Sequence, residues 1–425
     1  MADQAIKQKE EIVIVGAGIA GLAVALGLHR LGFKSLVLES SDCLRATGAA
    51  LGTWTNGWQA LDALGIGDSL RSQHVRLQTF VANSCVAGVA MAEIPFTTKK
   101  PSGGVHEVRG LRRKVLLETL AKDLPSESIR LSSKVVAIEE SGYFKVVHLA
   151  DGATIKAKVL IGCDGVNSVV AKWLGLKKPS LVGRAAIRGF TVFEESHGFE
   201  HKFQQFMGEG IRYGVIPCDD TSFYWFVTFA TTPQDKELQE DPEKQKQFAL
   251  SNLGKVPDKI RNILERTKLE DVTYSPLGCR PPWQVLFGDI SKDNVCVVGD
   301  AFHPMTPDLG QGACSALEDA VVLVRNLAKA LTKGAREDHS YSEKEEFERI
   351  KESLRKYVKE RKWRGFELVT TAYTIGAIQQ SKNKVIGFVR DKIFAPYMVK
   401  VILSKGNYEC GQLKNEEKKY LLGVA

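Results

Sequence analysis

The sequence predicts a mixed α/β fold in which one parallel-sheet domain is interrupted by an antiparallel sheet (α+β overall). A β-branched apolar run at residues 11–15 leads directly into a glycine-rich turn and a helical pattern, which is typical of a parallel sheet covered by helices. Residues 183–232 instead alternate aromatic and polar side chains, as antiparallel strands do. A second strand, turn and helix start follows at residues 294–331. We therefore expect a discontinuous first domain at 1–182 plus 291–330, an inserted sheet domain at 183–290 and a C-terminal helical region at 331–425.

Composition and charge exclude several classes of protein. The chain has 425 residues and a net charge of +8, but residues 331–425 carry 20 Lys and Arg against 13 Asp and Glu, so the first 330 residues are close to neutral. A nucleic-acid-binding fold would carry a basic stripe in its main domain, and this chain does not. The eight cysteines are scattered without a CxxC pair, which favours reduced thiols and neither disulfides nor a metal site. With no leader-like N-terminus and no apolar run of about 18 residues, a cytoplasmic protein without a transmembrane segment is expected.

The first motif is GAGIAG at residues 16–21, between a strand and a helix. Gly16 permits the tight turn, Gly18 lets the backbone approach a pyrophosphate and Gly21 lets the helix pack against the strand. An acidic residue, Glu39, ends the next strand and can accept hydrogen bonds from a ribose. This arrangement predicts a Rossmann-like dinucleotide site. Because the Glu39 carboxylate would repel a 2′-phosphate, FAD or NAD suits the site better than NADP.

Two further stretches carry candidate ligand-binding residues. Residues 163–165 read CDG after an apolar strand, and residues 299–312 read GDAFHPMTPDLGQG after another. Asp300 stands where open α/β sheets bind ligands, and Gly310 and Gly312 leave amide groups open at a helix N-terminus. Upstream, Arg45 precedes a Gly/Ala-rich loop and Arg113 heads an amphipathic helix. An arginine of either kind is more often a solvated surface residue.

Together, GAGIAG with Glu39, CDG and GDAFHPMTPDLGQG resemble the class A flavoprotein monooxygenases. The plant FAD-dependent monooxygenases related to salicylate hydroxylase and zeaxanthin epoxidase are the most similar group. The resemblance spans about residues 10–330 and is specific because the three motifs coincide in this order. It implies FAD as cofactor, NADPH or NADH as co-substrate, and transfer of one oxygen atom from O₂ to a small aromatic or related metabolite through a flavin C4a-hydroperoxide.

The same resemblance assigns expected roles to individual residues. FAD would be bound through Gly16, Gly18, Ala20, Gly21, Glu39, Arg45, Arg113, Asp164, Asp300, Pro307, Gly310 and Gly312. Arg109 and Arg112 are rivals of Arg113 for the register of the arginine before the helix. The sequence departs from the family at Ala171, where many relatives have an arginine, and Lys172 next to it cannot reproduce a planar guanidinium.

Substrate-binding candidates lie on the predicted sheet. They are Tyr213, Tyr224 and Phe226, together with Arg188 and Gln205 for an anionic substrate, and alternation along a strand is expected to turn some of them away. His303 and Pro307 are candidates for the environment of the flavin edge, with His303 an acid/base or a packing residue.

Other functions remain open at this point. The fold would equally serve an uncoupled flavin oxidase or reductase, or an epoxidase of a larger apolar substrate. A remote alternative is a GDSL-type serine esterase, since Gly67-Asp68-Ser69-Leu70 and the Asp300–His303 pair match its signature. The basic apolar segment at 385–403 suits either peripheral membrane contact or helix packing. The sequence leaves the oligomeric state and the choice between NADH and NADPH open.

Overall fold

A computed structural model describes residues 8–44, 50–97, 103–208, 210–335, 342–381 and 395–413. Its strands are β1 (Gln8–Val15), β2 (Leu36–Leu38), β3 (Ala50–Thr53), β4 (Thr79–Ser84), β5 (Ala90–Pro95), β6 (Arg109–Arg112), β7 (Ile129–Arg130), β8 (Val135–Ser141), β9 (Phe144–Leu149), β10 (Thr154–Gly162), β11 (Ser180–Val192), β12 (Lys202–Gly208), β13 (Ile211–Pro217), β14 (Ser222–Ala230), β15 (Val272–Cys279), β16 (Ser291–Lys292) and β17 (Val295–Val297). Its α-helices are α1 (Ile19–Arg30), α2 (Thr55–Ala63), α3 (Gly67–Arg71), α4 (Arg113–Lys122), α5 (Val169–Trp173), α6 (Pro242–Ser251), α7 (Asp258–Arg266), α8 (Pro282–Phe287), α9 (Gly312–Ala335), α10 (Glu343–Gln379) and α11 (Ala395–Lys405).

The first sheet has eight strands with a parallel centre. Its order is β16-β17-β10-β1-β2-β7, and β9 and β8 extend it from β10 as an antiparallel meander. The second half of β1 is buried on both faces, because Ile12 and Ile14 pack under α1 and α9 whereas Val13 and Val15 pack on the side of α5 and α8. A β-branched run without polar alternation is what a two-sided parallel strand requires.

The second sheet has seven strands in the order β15-β11-β14-β13-β12-β4-β5. It is antiparallel except where β12 runs parallel to β4. One finding differs from the expected boundaries, because β4 and β5, from the 1–182 segment, belong to this sheet. At the other end of the inserted segment, edge strand β15 is followed by α8. The β4–β12 pairing joins residues more than 120 positions apart, and such a contact leaves no local signal in sequence.

Long helices follow α9. α10 begins with a capping box in which the Ser342 hydroxyl and the Glu345 backbone and side chain satisfy each other, and it packs along α9. α11 buries Ile402 and Leu403 in an apolar cluster with Phe80 of the second sheet and Leu368 of α10. Ile402 and Leu403 of the basic apolar segment thus pack inward, whereas Tyr397 and Lys400 are exposed. Within the described ranges, no helix is both long and apolar enough to cross a membrane.

Candidate active site

The three sequence motifs meet at one edge of the first sheet. Val15, Gly162 and Val297 end three neighbouring parallel strands and lie side by side. The Cys163 amide donates to the Val15 carbonyl at 2.8 Å, and the Val298 amide donates to the Gly162 carbonyl at 2.9 Å. The glycine-rich turn, the CDG turn and the GDAFHP turn therefore leave the sheet next to each other, at the edge where such sheets bind ligands.

The glycine-rich turn at residues 16–21 requires glycine at positions 16 and 21, and glycine at position 18 leaves open space above the backbone. A Cβ on Gly16, whose φ is +101°, would lie 2.5 Å from the Cys163 carbonyl oxygen, and one on Gly21 would lie 1.9 Å from the Gly16 carbonyl oxygen. A Cβ on Gly18 would meet nothing within 4 Å. Gly18 begins α1 without a capping side chain, so the amide groups at this helix start face open space. Such a space suits an anion.

Glu39 braces this turn from the adjacent strand end. Its carboxylate accepts hydrogen bonds from the Ala17 amide at 2.8 Å and from the Ser41 amide at 2.9 Å. The side chain that the sequence assigns to a ribose therefore also orders the glycine-rich turn.

A cavity of about 620 Å³ extends from this turn to the second sheet. Gly18 and Ala20 line one end, and the turn before α9 supplies a second wall through Pro307, Gly310 and Gly312. Gly310 has a φ of +63°, and a Cβ on Gly312 would meet nothing within 4 Å. The positive end of the α9 dipole is consequently open to the cavity.

Arg113 and Asp300 face each other across the cavity. Of the three arginines before α4, Arg113 lines the cavity, whereas Arg109 bonds Glu107 at 2.9 Å and Arg112 lies 3.8 Å from Asp219. Burial lowers the pKa of Arg113, although Asp300 opposes that shift. Burial likewise raises the pKa of Asp300, opposed by His303 and Arg113. The Arg113 Nε has no hydrogen-bond partner among the described residues, as expected of a donor that awaits a ligand.

The remaining cofactor candidates lie elsewhere. Arg45 falls outside the described residues. The Asp164 carboxylate accepts a hydrogen bond from the Val169 amide at 2.7 Å, so it is engaged with the start of α5 and does not line the cavity. Ala171 is buried inside α5 and Lys172 is exposed on its outer side, so neither presents a cation to the cavity.

Sequence reasoning missed a buried arginine that holds the GDAFHP turn. The Arg280 guanidinium donates to the carbonyls of Phe302 at 3.0 Å and Ala301 at 3.1 Å, and also to the carbonyl of Lys177. Burial lowers the pKa of Arg280 to about 10. This side chain ties the turn that carries Asp300 to the segment after α5.

Four of the five substrate candidates line the cavity. Arg188, Gln205, Tyr224 and Phe226 face it from β11, β12 and β14. Tyr213 lies on the opposite face of the sheet, where its hydroxyl donates to the Ala249 carbonyl at 3.1 Å under α6. The expectation that Tyr213 lines the pocket is therefore wrong, because its neighbour Arg212 takes the cavity face of β13.

Arg212 belongs to a buried ion cluster that the sequence did not reveal. The Asp308 carboxylate lies 3.1 Å from Arg184 Nη2 and 3.2 Å from Arg212 Nη2, and it has no exposed surface. Arg212 also donates to Gln379 of α10 at 2.8 Å. Because Asp308 follows Pro307 directly, the cluster fastens the turn before α9 to the second sheet. The sequence carried no signal for this cluster, because the burial of Asp308, which requires a cation, is evident only in the folded chain.

Apolar side chains complete the cavity, and most were also missed. A Cβ on Gly214 would lie 2.2 Å from the Phe226 ring, so this glycine gives the ring its place on the cavity face. Other large apolar residues of the lining include Trp54, Phe80, Phe203, Ile216, Met305 and Ile402.

His303 lies behind the cavity wall, away from the space that a ligand would occupy. It is fully buried, and its Nε2 lies 2.7 Å from Asp319 Oδ2 and 3.2 Å from the Ser315 hydroxyl. Asp319 also accepts hydrogen bonds from Arg361 at 2.6 Å and from the Gly299 amide at 2.9 Å. Burial would raise the pKa of Asp319, but His303 and Arg361 outweigh it and hold that pKa at about 2. The geometry gives His303 a place in packing the turn and no contact with the cavity.

The residues of the esterase alternative are not assembled. Ser69 is exposed on α3, Asp300 lines the cavity, and His303 is engaged with Asp319. No described nucleophile, base and acid from that signature share a site. All eight cysteines are free, and no group of residues suited to a metal ion occurs in the described ranges.

The residues present fit a bound flavin dinucleotide. The open amide groups at Gly18 and the space over it suit a pyrophosphate, Arg113 offers an unpartnered donor, and the open N-terminus of α9 suits an electron-rich ring system. A dinucleotide turn on the first sheet beside an apolar, arginine-bearing cavity on the second is the arrangement expected of a class A flavoprotein monooxygenase, in which FAD is the cofactor and NAD(P)H the typical reductant.

Comparison with known proteins assigns the chain to a family. The FAD binding domain family matches residues 9–354, and the chain belongs to it. Monooxygenase 2 of Arabidopsis thaliana is 50% identical over 404 residues, covering 95% of this chain and 98% of that protein, and Monooxygenase 1 of the same plant is 36% identical over 95% of this chain and 99% of its own length. The fold also matches Klebsiella pneumoniae HpxO in complex with FAD and uric acid, with a TM-score of 0.78, 23% identity and coverage of 95% and 99%. A salicylate hydroxylase substrate complex matches with a TM-score of 0.71, 20% identity and coverage of 95% and 97%.

Proposed function

We propose that this monooxygenase transfers one oxygen atom from O₂ to a small aromatic anion of the phenolic or benzoate type, with NADPH or NADH as reductant. The observation that carries the proposal is Arg188, whose guanidinium lies in the cavity wall with no carboxylate at ion-pair distance among the described residues. A half-buried cation without a carboxylate partner favours an anionic ligand.

Different cavity residues would bind the anionic group and the aromatic ring of the substrate. Arg188 and Tyr224 would hold the anionic group: burial raises the pKa of the Tyr224 hydroxyl, and a hydrogen bond to Arg188 opposes that shift. Phe203 and Phe226 would enclose the ring and exclude water. The cavity volume must also accommodate the flavin ring, so the remaining space suits a small substrate better than the large apolar substrate of an epoxidase.

The flavin supplies the redox chemistry, since bound FAD accepts hydride from a nicotinamide and activates O₂. This chain would hold the pyrophosphate at Gly18 and present the amide groups of Gly310 and Gly312 to the ring. Those amide groups and the α9 dipole would stabilise negative charge on the reduced cofactor. A cytoplasmic location, expected from the reduced thiols, stays a prediction.

The test measures NADPH and NADH oxidation by the purified yellow protein with a panel of phenols and benzoates, while H₂O₂ is followed. A substrate is expected to accelerate oxidation and to lower the H₂O₂ formed per NAD(P)H. Oxidation that no compound accelerates, with full conversion to H₂O₂, would favour the oxidase alternative. A colourless protein that cannot take up FAD would contradict the cofactor assignment itself.

Arg188→Met then tests the anion site. Loss of a charge-assisted hydrogen bond of about 2 kcal/mol is expected to raise KM roughly 30-fold while FAD content is unchanged. Tyr213→Phe is the matched control, because Tyr213 lies on the outer face of the same sheet. An unchanged KM in Arg188→Met would argue for a neutral substrate.

A further inference from the structure

Large apolar side chains face solvent where α8 and α10 adjoin. Trp283 and Phe287, one helical turn apart on α8, are 62% and 79% exposed, and Trp363 of α10 is 63% exposed. Leu181, which pairs with Gly278 just before α8, is 73% exposed. Single exposed apolar residues are ordinary, but four on adjoining elements indicate an interaction surface. We call these four residues and the lysines beside them the α8–α10 ridge.

The ridge stands on a fixed support. Val285, on the inner side of α8, is fully buried in the same apolar cluster as Leu176 and Phe366 of α10. Trp363 packs against Phe366 with 5.2 Å between ring centroids. The backbone just ahead of α8 is anchored as well, because the Arg280 amide donates to the Pro304 carbonyl at 3.0 Å. The outward side chains are therefore held in place from beneath.

Lysines without carboxylate partners surround these apolar residues. Lys356 and Lys359 precede Trp363 by seven and four positions, which places the three side chains on one face of α10. Lys177 and Lys178 are exposed shortly before Leu181. Among the residues that the structure describes, none of these four lysines lies within ion-pair distance of a carboxylate.

Acidic residues near the ridge offset little of this charge. Glu352 lies 3.8 Å from Arg355, and Glu360 pairs with Arg325 at 2.5 Å. Asp289 is exposed just after α8. Among the described residues, four lysines without a carboxylate partner outnumber the single carboxylate of Asp289, so the ridge is positively charged.

We propose that the α8–α10 ridge docks the enzyme on an anionic lipid surface. The apolar side chains protrude, and they line neither the active-site cavity nor the surface pocket at residues 193–199. A protruding tryptophan with lysines beside it suits a bilayer interface, into which the indole inserts while the ammonium groups reach the headgroups. A second copy docked through the same ridge would bring lysines against lysines, so charge disfavours self-association.

Vesicle sedimentation with the full chain tests the proposal. Binding is expected to vesicles of equal parts phosphatidylcholine and phosphatidylserine, to be weak with phosphatidylcholine alone, and to fall with added salt. Trp283→Ser/Phe287→Ser should lower the affinity about tenfold or more, because both apolar anchors are lost. Lys356→Glu/Lys359→Glu should abolish the preference for phosphatidylserine. Val89→Ser/Val192→Ser, at exposed apolar positions off the ridge, is the matched control and should bind as the wild type does.

Quenching by brominated lipid locates the contact. Trp54, Trp58 and Trp225 are buried and Trp173 is partly buried, so most of the fluorescence lost to brominated phosphatidylcholine in the mixed vesicles should come from Trp283 and Trp363. Trp283→Phe/Trp363→Phe keeps apolar side chains and should bind vesicles with most of that quenching gone. Three results would overturn the proposal. The wild type could fail to bind anionic vesicles, or Trp283→Ser/Phe287→Ser could bind them with undiminished affinity. The third is a wild type that does not bind lipid and forms a dimer, which the same double substitution abolishes.

Discussion

Asp308→Asn is the perturbation whose consequences follow most directly from the structure. The carboxylate lies between Arg184 and Arg212, with no exposed surface, and a Cβ on Gly376 would come within 2.2 Å of Asp308 Oδ2. The absence of a side chain at Gly376 therefore lets α10 pack directly over the ion pair of Asp308 and Arg184. Asparagine keeps the shape of the side chain and one oxygen acceptor, but it removes the charge that two buried guanidinium groups share.

The expected cost is large because the arginines remain. Removing one partner of a buried ion pair costs about 3–5 kcal/mol, since the other charge is left in a dry environment. Asparagine still accepts one hydrogen bond, so we expect the free energy of unfolding to fall by about 3 kcal/mol. Since Asp308 also fixes the turn from Pro307 to Gly312, FAD should dissociate more readily from the variant.

Denaturant unfolding followed by tryptophan fluorescence, together with FAD retention after gel filtration, measures both effects. Asp293→Asn is the matched control, because Asp293 forms a partly exposed pair with Lys351 at 3.2 Å and its φ of 54° suits asparagine. The control should lose less than about 1 kcal/mol. An Asp308→Asn protein as stable and as yellow as the control would refute the argument that this carboxylate holds the turn.

Three other predictions follow from the contacts described above. Gly18→Ala should fold, because its Cβ meets no protein atom, but it should lose FAD affinity, because the Cβ enters the space over the turn. Gly21→Ala should lower the folded yield, because its Cβ meets a carbonyl oxygen at 1.9 Å. Circular dichroism measures folding and flavin absorbance measures bound FAD, so the two effects can be separated. Asp319 has its pKa at about 2 when folded, below the ordinary value of 3.8, so its contribution is present above about pH 4 and is lost as the pH falls towards 2. The free energy of unfolding of the wild type should therefore fall between neutral and acid pH. In Asp319→Asn that fall should be about 2 kcal/mol smaller, as measured by urea titrations. Tyr224→Phe should raise the substrate KM several-fold, and Tyr213→Phe should change only stability; equal KM values would place neither hydroxyl at the substrate.

Local sequence patterns were sufficient for the dinucleotide half of the molecule. The turn at Gly16, the packing glycine at Gly21 and the position of Asp300 after a strand depend on residues close in the chain. The parallel centre of the first sheet then brings the three turns together, because strands of the same direction end at the same edge. The meander of β8, β9 and β10 was predictable for the same reason.

In the second sheet, the unknown strand register limited the prediction of which side chains face the cavity. A shift of one residue moves a side chain to the other face, so Tyr213 and Arg212 could not be told apart by composition. The same difficulty applied to the arginines before α4, where only folding shows that Arg113, and not Arg109 or Arg112, reaches the cavity.

The sequence by itself determined the fold class, the dinucleotide turn and the family, because each depends on short stretches whose chemistry is local. Only the tertiary structure decided what surrounds the cavity: His303 bonds Asp319, Asp308 lies between Arg184 and Arg212, and β4 joins β12. These contacts join residues from 16 to more than 120 positions apart. The energies of these contacts depend on the burial of the side chains and on the distances between them. Both quantities are known only once the chain has folded.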